Sequence, residues 1–266
     1  MPDSSENKQA SGLPRNDPEN ETEHAVVAQP DADTDDNLLD GEDLSVDEEG
    51  RIISRVNFKV GKLEGESITY DETGRITEKA YFENDKLIRT IAYDETGRIY
   101  QKAHFKDGRL HGEMILYEEG RPRTKMYYQN GLQNGQMIHY GDDGQVTGSV
   151  NYLNGKLNGE SRWYDTEGRL LITSPYKDDK LCGEKKEYYP GGQIREKAVY
   201  SNNRLHGELL RYHENGRIKE SIHYQDGRQI GNRIEYDQNE TIKHESSEKK
   251  SLFARLAKFK IKRPEI

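Results

Sequence analysis

Between about residues 44 and 243 apolar and polar positions alternate in short runs. In RITEKAYF, Ile76, Glu78, Ala80 and Phe82 fall to one side of an extended chain, and Thr77, Lys79 and Tyr81 to the other. In ESITY, Ile68 and Tyr70 share a side with Glu66. A period of two predicts β-strands, because successive side chains of an extended chain point to opposite faces. Two kinds of turn bound the runs. One is of the Asp-Glu-Thr-Gly type, with Gly74, Gly97, Gly144, Gly168, Gly192 and Gly216. The other is of the Asn/Asp-Gly type, with Gly108, Gly131, Gly155 and Gly227, and with Asp85, Asp179 and Asn203 as replacements. Gly, Asn and Asp tolerate the left-handed backbone of tight hairpins, so both sites predict reversals.

The pattern repeats. Tyrosines of one arm stand at Tyr70, Tyr93, Tyr117, Tyr140, Tyr164, Tyr188, Tyr212 and Tyr236. Aromatics of the other arm stand at Phe58, Phe82, Phe105, Tyr128, Tyr152, Tyr176, Tyr200 and Tyr224. Their steps are 23 or 24 residues, the mark of a tandem-repeat architecture. One hairpin is marginal in water, whereas stacked hairpins bury a continuous stripe. The expected fold is therefore all-β: an elongated single-layer antiparallel meander of ~24-residue hairpin repeats, with Tyr and Phe in a ladder along one face. About 16 strands spaced roughly 4.8 Å apart would span on the order of 75 Å.

Composition sets the limits of the repeat. Apolar residues make up 31% of the 266, charged residues 33%, and mean hydropathy is -1.11, too polar for a thick core of this length. The net charge of -9 is uneven: Met1–Asp43 holds 13 acidic residues against Lys8 and Arg15, net -11, so the remainder sums to +2. Residues 1–43 contain no aromatic residue and read as an acidic disordered arm, with the repeat domain over 44–243. Residues 244–266 read as a basic amphipathic helix. Leu252, Phe253, Leu256 and Phe259 recur at helical spacing behind Ser251, and over 248–266 seven basic residues oppose Glu248 and Glu265. That helix could cap the sheet's open end, lie on an anionic membrane or dock on a partner.

The N-terminal residues show no basic stretch followed by an apolar one, and no run approaches the ~18 apolar residues of a membrane helix. The expected compartment is the cytoplasm. Cys182 is the only cysteine, which excludes an internal disulfide and a cysteine-based zinc site. His111 and His206 occupy equivalent turns about four units apart, too far to share an ion, so no metal or cofactor is expected. No nucleophile elbow, zinc-protease helix or phosphate loop is present, and the reading is of a protein that is no enzyme.

In a repeat this regular, Gly, Tyr and Glu that recur are scaffold, and function belongs to positions that vary. The variable positions are expected on the face opposite the tyrosine ladder. There Tyr81, Lys102, Lys125, Tyr127 and Trp163 would surround the apolar Met114, Leu116 and Met137. The bland reading of that face is a solvated sheet surface. The functional reading is a contact surface with an apolar centre and a basic rim, suited to an acidic protein partner. Nucleic acid is a poor fit, since no recognised motif appears and the acidic arm would compete with phosphate.

The units GKLEGESITYDETGRI, GRLHGEMILYEEGRP, GKLNGESRWYDTEGRL and NRLHGELLRYHENGRI resemble the MORN family, particularly the variant found in bacterial YwqK-type antitoxins. The resemblance covers roughly 45–240. Departures stand at Asp85, at Arg89, and at Glu240 where a turn glycine is expected. The resemblance implies a meander of hairpins, no catalytic residues, and a binding role in which a toxin or effector protein is neutralised. It also implies a second role, a membrane-associated scaffold that binds anionic lipid through the helix at Leu252, Phe253, Leu256 and Phe259.

Overall fold

The computed structural model describes residues 39–246. Within them all regular structure is β, in one antiparallel sheet of 23 strand segments. Each strand pairs with its neighbours in sequence. Gly41–Val46 pairs with Ile52–Lys59, which pairs with Gly65–Tyr70, and so on to Arg233–Tyr236 with Ile242–Ser246. The sheet is an open meander, as the repeat predicts. The start of the helix expected over 244–266 needs correction, because His244, Glu245 and Ser246 complete the strand Ile242–Ser246 on Arg233–Tyr236. The rest of it lies outside the described residues, as does the acidic arm up to residue 38.

The boundary at residue 43 needs correction. Gly41–Val46 is a strand, and its register on Ile52–Lys59 matches that of Gly65–Tyr70 on Ile76–Glu83. LDGEDLSVDEEGRI, from Leu39, is a further copy of LEGESITYDETGRI, from Leu63. Val46 stands where the tyrosine is expected, which hides the copy from a count made on aromatics.

The turns explain the regularity. At the Asp-Glu-Thr-Gly reversals the Asp71 carboxylate accepts the backbone N–H of Thr73 (2.8 Å) and of Arg75 (3.0 Å). The Thr73 hydroxyl and the Arg75 guanidinium bind it as well. The Thr73 hydroxyl, then the Arg75 N–H, hold Asp71 well below the usual carboxylate range. Asp47, Asp94, Asp165 and Asp237 repeat the arrangement. The opposite turns have two successive residues in the left-handed region, as at Asn84 (48°) and Asp85 (65°). Asp85, Asp179 and Asn203 replace glycine there without strain, and each side chain accepts an N–H from the preceding unit, at Leu63, Leu157 and Leu181. These departures from the repeat are cross-links between units.

Register decides which side chains share a face, because directly opposed residues point the same way. Gly65 faces Phe82 and Ser67 faces Ala80, while Glu66 faces Tyr81 and Ile68 faces Lys79. One face, here called face A, therefore carries Phe58, Phe82, Phe105, Tyr128, Tyr152, Tyr176, Tyr200 and Tyr224. The other, face B, carries Tyr70 and its equivalents alongside Glu66 and Ile68. The single mixed ladder of Tyr and Phe is thus two ladders on opposite faces. A bulge beside each Tyr of the second set, as between Thr69 and Tyr70, adds a residue to the facing strand and breaks simple counting across the turn.

Candidate functional site

Face A has two apolar centres. The first is built on buried Met126, Met137 and Val150, with Met114, Leu116, Tyr128, Tyr152, Leu157 and Trp163 packed around them. The second is built on Ala198, Leu209 and Ile222, with Tyr200, Leu205 and Tyr224. Four neighbouring strands supply the row Met114, Met126, Met137, Val150, so these side chains cover one another across the sheet. Trp163 faces Gly148 and His139 faces it from the other side. The Trp163 indole lies across the glycine and stacks on His139, ring centroids 5.6 Å apart and planes 19° from parallel. A Cβ on Gly148 would overlap the indole, so this glycine is a seat for the ring. Burial holds the His139 pKa below its ordinary value, its Nε2 has no hydrogen-bond partner, and its Nδ1 lies 3.3 Å from the Thr124 hydroxyl.

Ser161 and Ser174, buried and facing each other, follow this centre, and charge takes over beyond them. Glu187 is paired with Lys185 (2.8 Å) and with Arg195. Glu196 takes Arg211 (2.8 Å), and the buried Glu220 lies between Arg211 (2.6 Å) and Arg233.

Face B carries a row in which basic residues and isoleucines alternate strand by strand: Arg55, Ile68, Lys79, Ile91, Lys102, Ile115, Lys125, Ile138. Alternation spaces the cations by two strands, roughly 9–10 Å, and lets each stem cover an isoleucine. The Lys79 ammonium lies 3.2 Å from Glu66, which also accepts the Tyr81 hydroxyl (2.8 Å). Burial pushes Glu66 upward, but the Tyr81 hydroxyl and Lys79 outweigh it and hold its pKa below the ordinary value. Lys125 repeats this with Glu113 and Tyr127. Those hydrogen bonds, to Glu113 first, raise its pKa. Farther along, Ser149 stands in the row between Ile138 and Arg162 and leaves an open groove of about 460 Å³, lined by Gln136, Tyr164 and Arg162 among others.

The candidate residues are therefore split. Met114, Leu116, Met137 and Trp163 come together on face A; Tyr81, Lys102, Lys125 and Tyr127 lie on face B. The apolar centre with a basic rim on one surface does not exist. The bulge falls inside the strand: Ile76, read on one side with Glu78, Ala80 and Phe82, faces Tyr70 and so lies on face B. Beyond the bulge the alternation was legible, but the relation between one strand and the next depends on these bulges, and a one-residue slip exchanges the faces. Tyr100 and Arg123, for example, are the extra residues of two of these bulges. Sequence reasoning missed His139 and Gly148. Their signal was a glycine at the repeat position held by Gln101, Thr124 and Ile172 in other units, one strand from the only tryptophan. The candidate helix residues Leu252, Phe253, Leu256 and Phe259 lie outside the described residues. Among the described residues no three His, Cys, Asp or Glu side chains converge on a metal position.

This geometry defines a tandem β-hairpin repeat protein whose two faces are decorated independently. The profile of the MORN repeat variant matches residues 63–84, 157–178, 181–202 and 205–226, so those units are MORN-type repeats. A search of curated proteins found no match. Among solved structures, the chain is similar to a GtfA/B complex bound to UDP and GlcNAc, at 15% identity and TM-score 0.18, over 56% of this chain and 25% of that one. It is also similar to a TarM mutant of S. aureus, at 11% identity and TM-score 0.17, over 53% of this chain and 19% of that one. A third is TcdB2-TccC3-TEV, at 13% identity and TM-score 0.20, over 77% and 15%. The chain spans a quarter or less of each, and likenesses at these TM-scores carry no argument.

Proposed function

We propose that this chain is a non-catalytic binding protein that neutralises a toxin or effector protein by covering part of its surface. The observation that carries the reading is the first apolar centre of face A. Its Met114, Leu116, Trp163 and Tyr152 are only partly buried by their own sheet, and no second layer covers them among the described residues. A partly exposed tryptophan and tyrosine set among adaptable methionines is the kind of cluster on which binding hot spots are built. The toxin or effector context comes from the resemblance to YwqK-type antitoxins. The test is growth rescue. The product of each reading frame adjacent to this gene is expressed with and without the chain. Relief of growth inhibition by the wild type, lost with Met114→Lys and Trp163→Ala at unchanged protein level, is the expected result. If no neighbouring product is relieved, or both variants rescue fully, the reading fails.

A further inference from the structure

The cation row of face B has one unit that breaks its own rule. In the repeat, the residue after the strand glycine is a carboxylate or amide: Glu66, Glu113, Gln136, Glu160, Glu184 and Glu208. Where this residue is Glu66, Glu113 or Glu184, it accepts the lysine reaching across from the next strand: Lys79, Lys125 or Lys197. Lys102 is the row's lysine in the unit between, and its acceptor position is filled by Arg89. Two cations therefore stand where three other units place an ion pair. Among the described residues neither Arg89 nor Lys102 has an acidic partner, while Arg55, Lys79, Lys125, Arg162, Lys186 and Lys197 on the same face all do.

Their surroundings are ordered. Arg89 is directly opposite His104, and Ile91 directly opposite Lys102, so the four make a square on adjacent strands. The Arg89 guanidinium carbon lies over the Tyr81 ring, 4.0 Å from its centroid, and Tyr81 is itself anchored by Glu66. A guanidinium held over an aromatic ring keeps donors in a fork that matches a carboxylate in two parallel bonds, and no carboxylate of the described residues takes them. His104 Nδ1 bonds the Glu113 carbonyl (2.9 Å), which fixes that ring too. The Lys102 ammonium sits 5.4 Å from the centroid of Tyr117. The flanking Glu66 and Glu113 are engaged by Lys79 and Lys125.

We propose that Arg89 and Lys102 form a docking site for an acidic, extended segment of a protein partner, on the face opposite the apolar centre. Spacing favours such a segment over a compact anion. Arg89 and Lys102 are diagonal neighbours, roughly 7–8 Å apart along the sheet. Same-side residues of an extended peptide recur about every 7 Å, so carboxylates two residues apart meet the two cations in turn. The isoleucines beside Lys102 give a floor for their aliphatic stems. This proposal goes beyond the toxin-binding reading and does not depend on it, because a synthetic probe tests it without the partner.

The experiment measures binding of a fluorescent oligoglutamate peptide by anisotropy at low salt. Arg89→Glu gives this unit the glutamate its sisters carry and provides Lys102 with an acceptor, so the fold is kept. The expected result is at least about tenfold weaker binding with Arg89→Glu, at an undiminished Tm, and a wild-type affinity that falls as salt rises. Lys177→Glu, the same charge reversal at an exposed turn, is expected to change affinity less than about twofold. Equal losses in both variants would reduce the site to diffuse charge and overturn the proposal. So would a fallen Tm in Arg89→Glu, or displacement of the peptide by inorganic phosphate or phosphatidylserine vesicles more readily than by free oligoglutamate. Loss of growth rescue with face A variants, alongside unchanged oligoglutamate binding, separates the two sites.

Discussion

The stretch from Met114 to Trp163 and the stretch from Lys185 to Glu235 are built on the same backbone, yet they hold face A together by different physics. At equivalent repeat positions Met137 answers to Lys185, and Trp163 to Glu187. In the first stretch Met126, Met137 and Val150 are shielded by neighbours on the same face. In the second, a charged row surrounds a smaller apolar centre, and the buried Glu220 is compensated by two arginines. The turns and backbone pairing fix the sheet, and the facing row is free to vary. A row of methionines and a tryptophan suits contact with another protein; a row of paired charges already satisfies itself.

The sharpest way to break this contrast is to truncate equivalent residues. Met137→Ala is expected to cost about 2–3 kcal/mol in urea unfolding, because a buried side chain leaves a cavity. Lys185→Ala should cost under about 1 kcal/mol, since its ion pair is partly solvated. Equal costs would mean the two stretches are not held differently. Next comes the seat of Trp163. Gly148→Ala should destabilise the wild type by about 1–2 kcal/mol through overpacking. In a Trp163→Ala background the same change should become neutral or stabilising, because alanine loses less backbone freedom than glycine. A cost that persists without the indole would refute the seat.

In the charged stretch, Glu220→Gln should cost about 1–2 kcal/mol, less than a fully buried pair because its arginines are half exposed. No change in chemical denaturation would show that Arg211 and Arg233 find other partners. A turn outside both stretches provides a control. Val60 is β-branched yet held at φ 51°, where Asn stands in sister turns. Val60→Asn should raise stability by about 0.5–1 kcal/mol and leave the difference between the stretches untouched.

The subtlest test is pH. His139 has a folded pKa below its unfolded value of about 6.5. The unfolded chain therefore takes up the proton first, and stability falls as pH drops through that value toward the folded one. His139→Phe should flatten this part of the stability profile. The turn aspartates act lower. Their folded pKa values are depressed, so the stability they add is present above about pH 4 and is lost as acid protonates them. Asp71→Asn should blunt acid unfolding, which circular dichroism would follow.

Much of the fold was legible because the signals were local. Alternation gave the strands, and Gly, Asn and Asp at fixed offsets gave the turns, including Asp85, whose departure from glycine proved to be a hydrogen bond to Leu63. The copy beginning at Leu39 was present in the letters too, but Val46 in place of tyrosine concealed it. The candidate site was less legible. Away from the bulges each residue's neighbours along its own strand could be read, but Ile76, one residue before a bulge, was placed on the wrong side, and neighbours across strands could not be read.

What the sequence determined by itself was a meander of hairpins, since every pairing in it joins strands a single turn apart. What only the tertiary structure decided was the sharing of faces. Met137 and Trp163 lie back to back with Lys102 and Tyr81 because a bulge at each tyrosine adds one residue to the facing strand, and the side-chain period of two turns that single residue into a change of side.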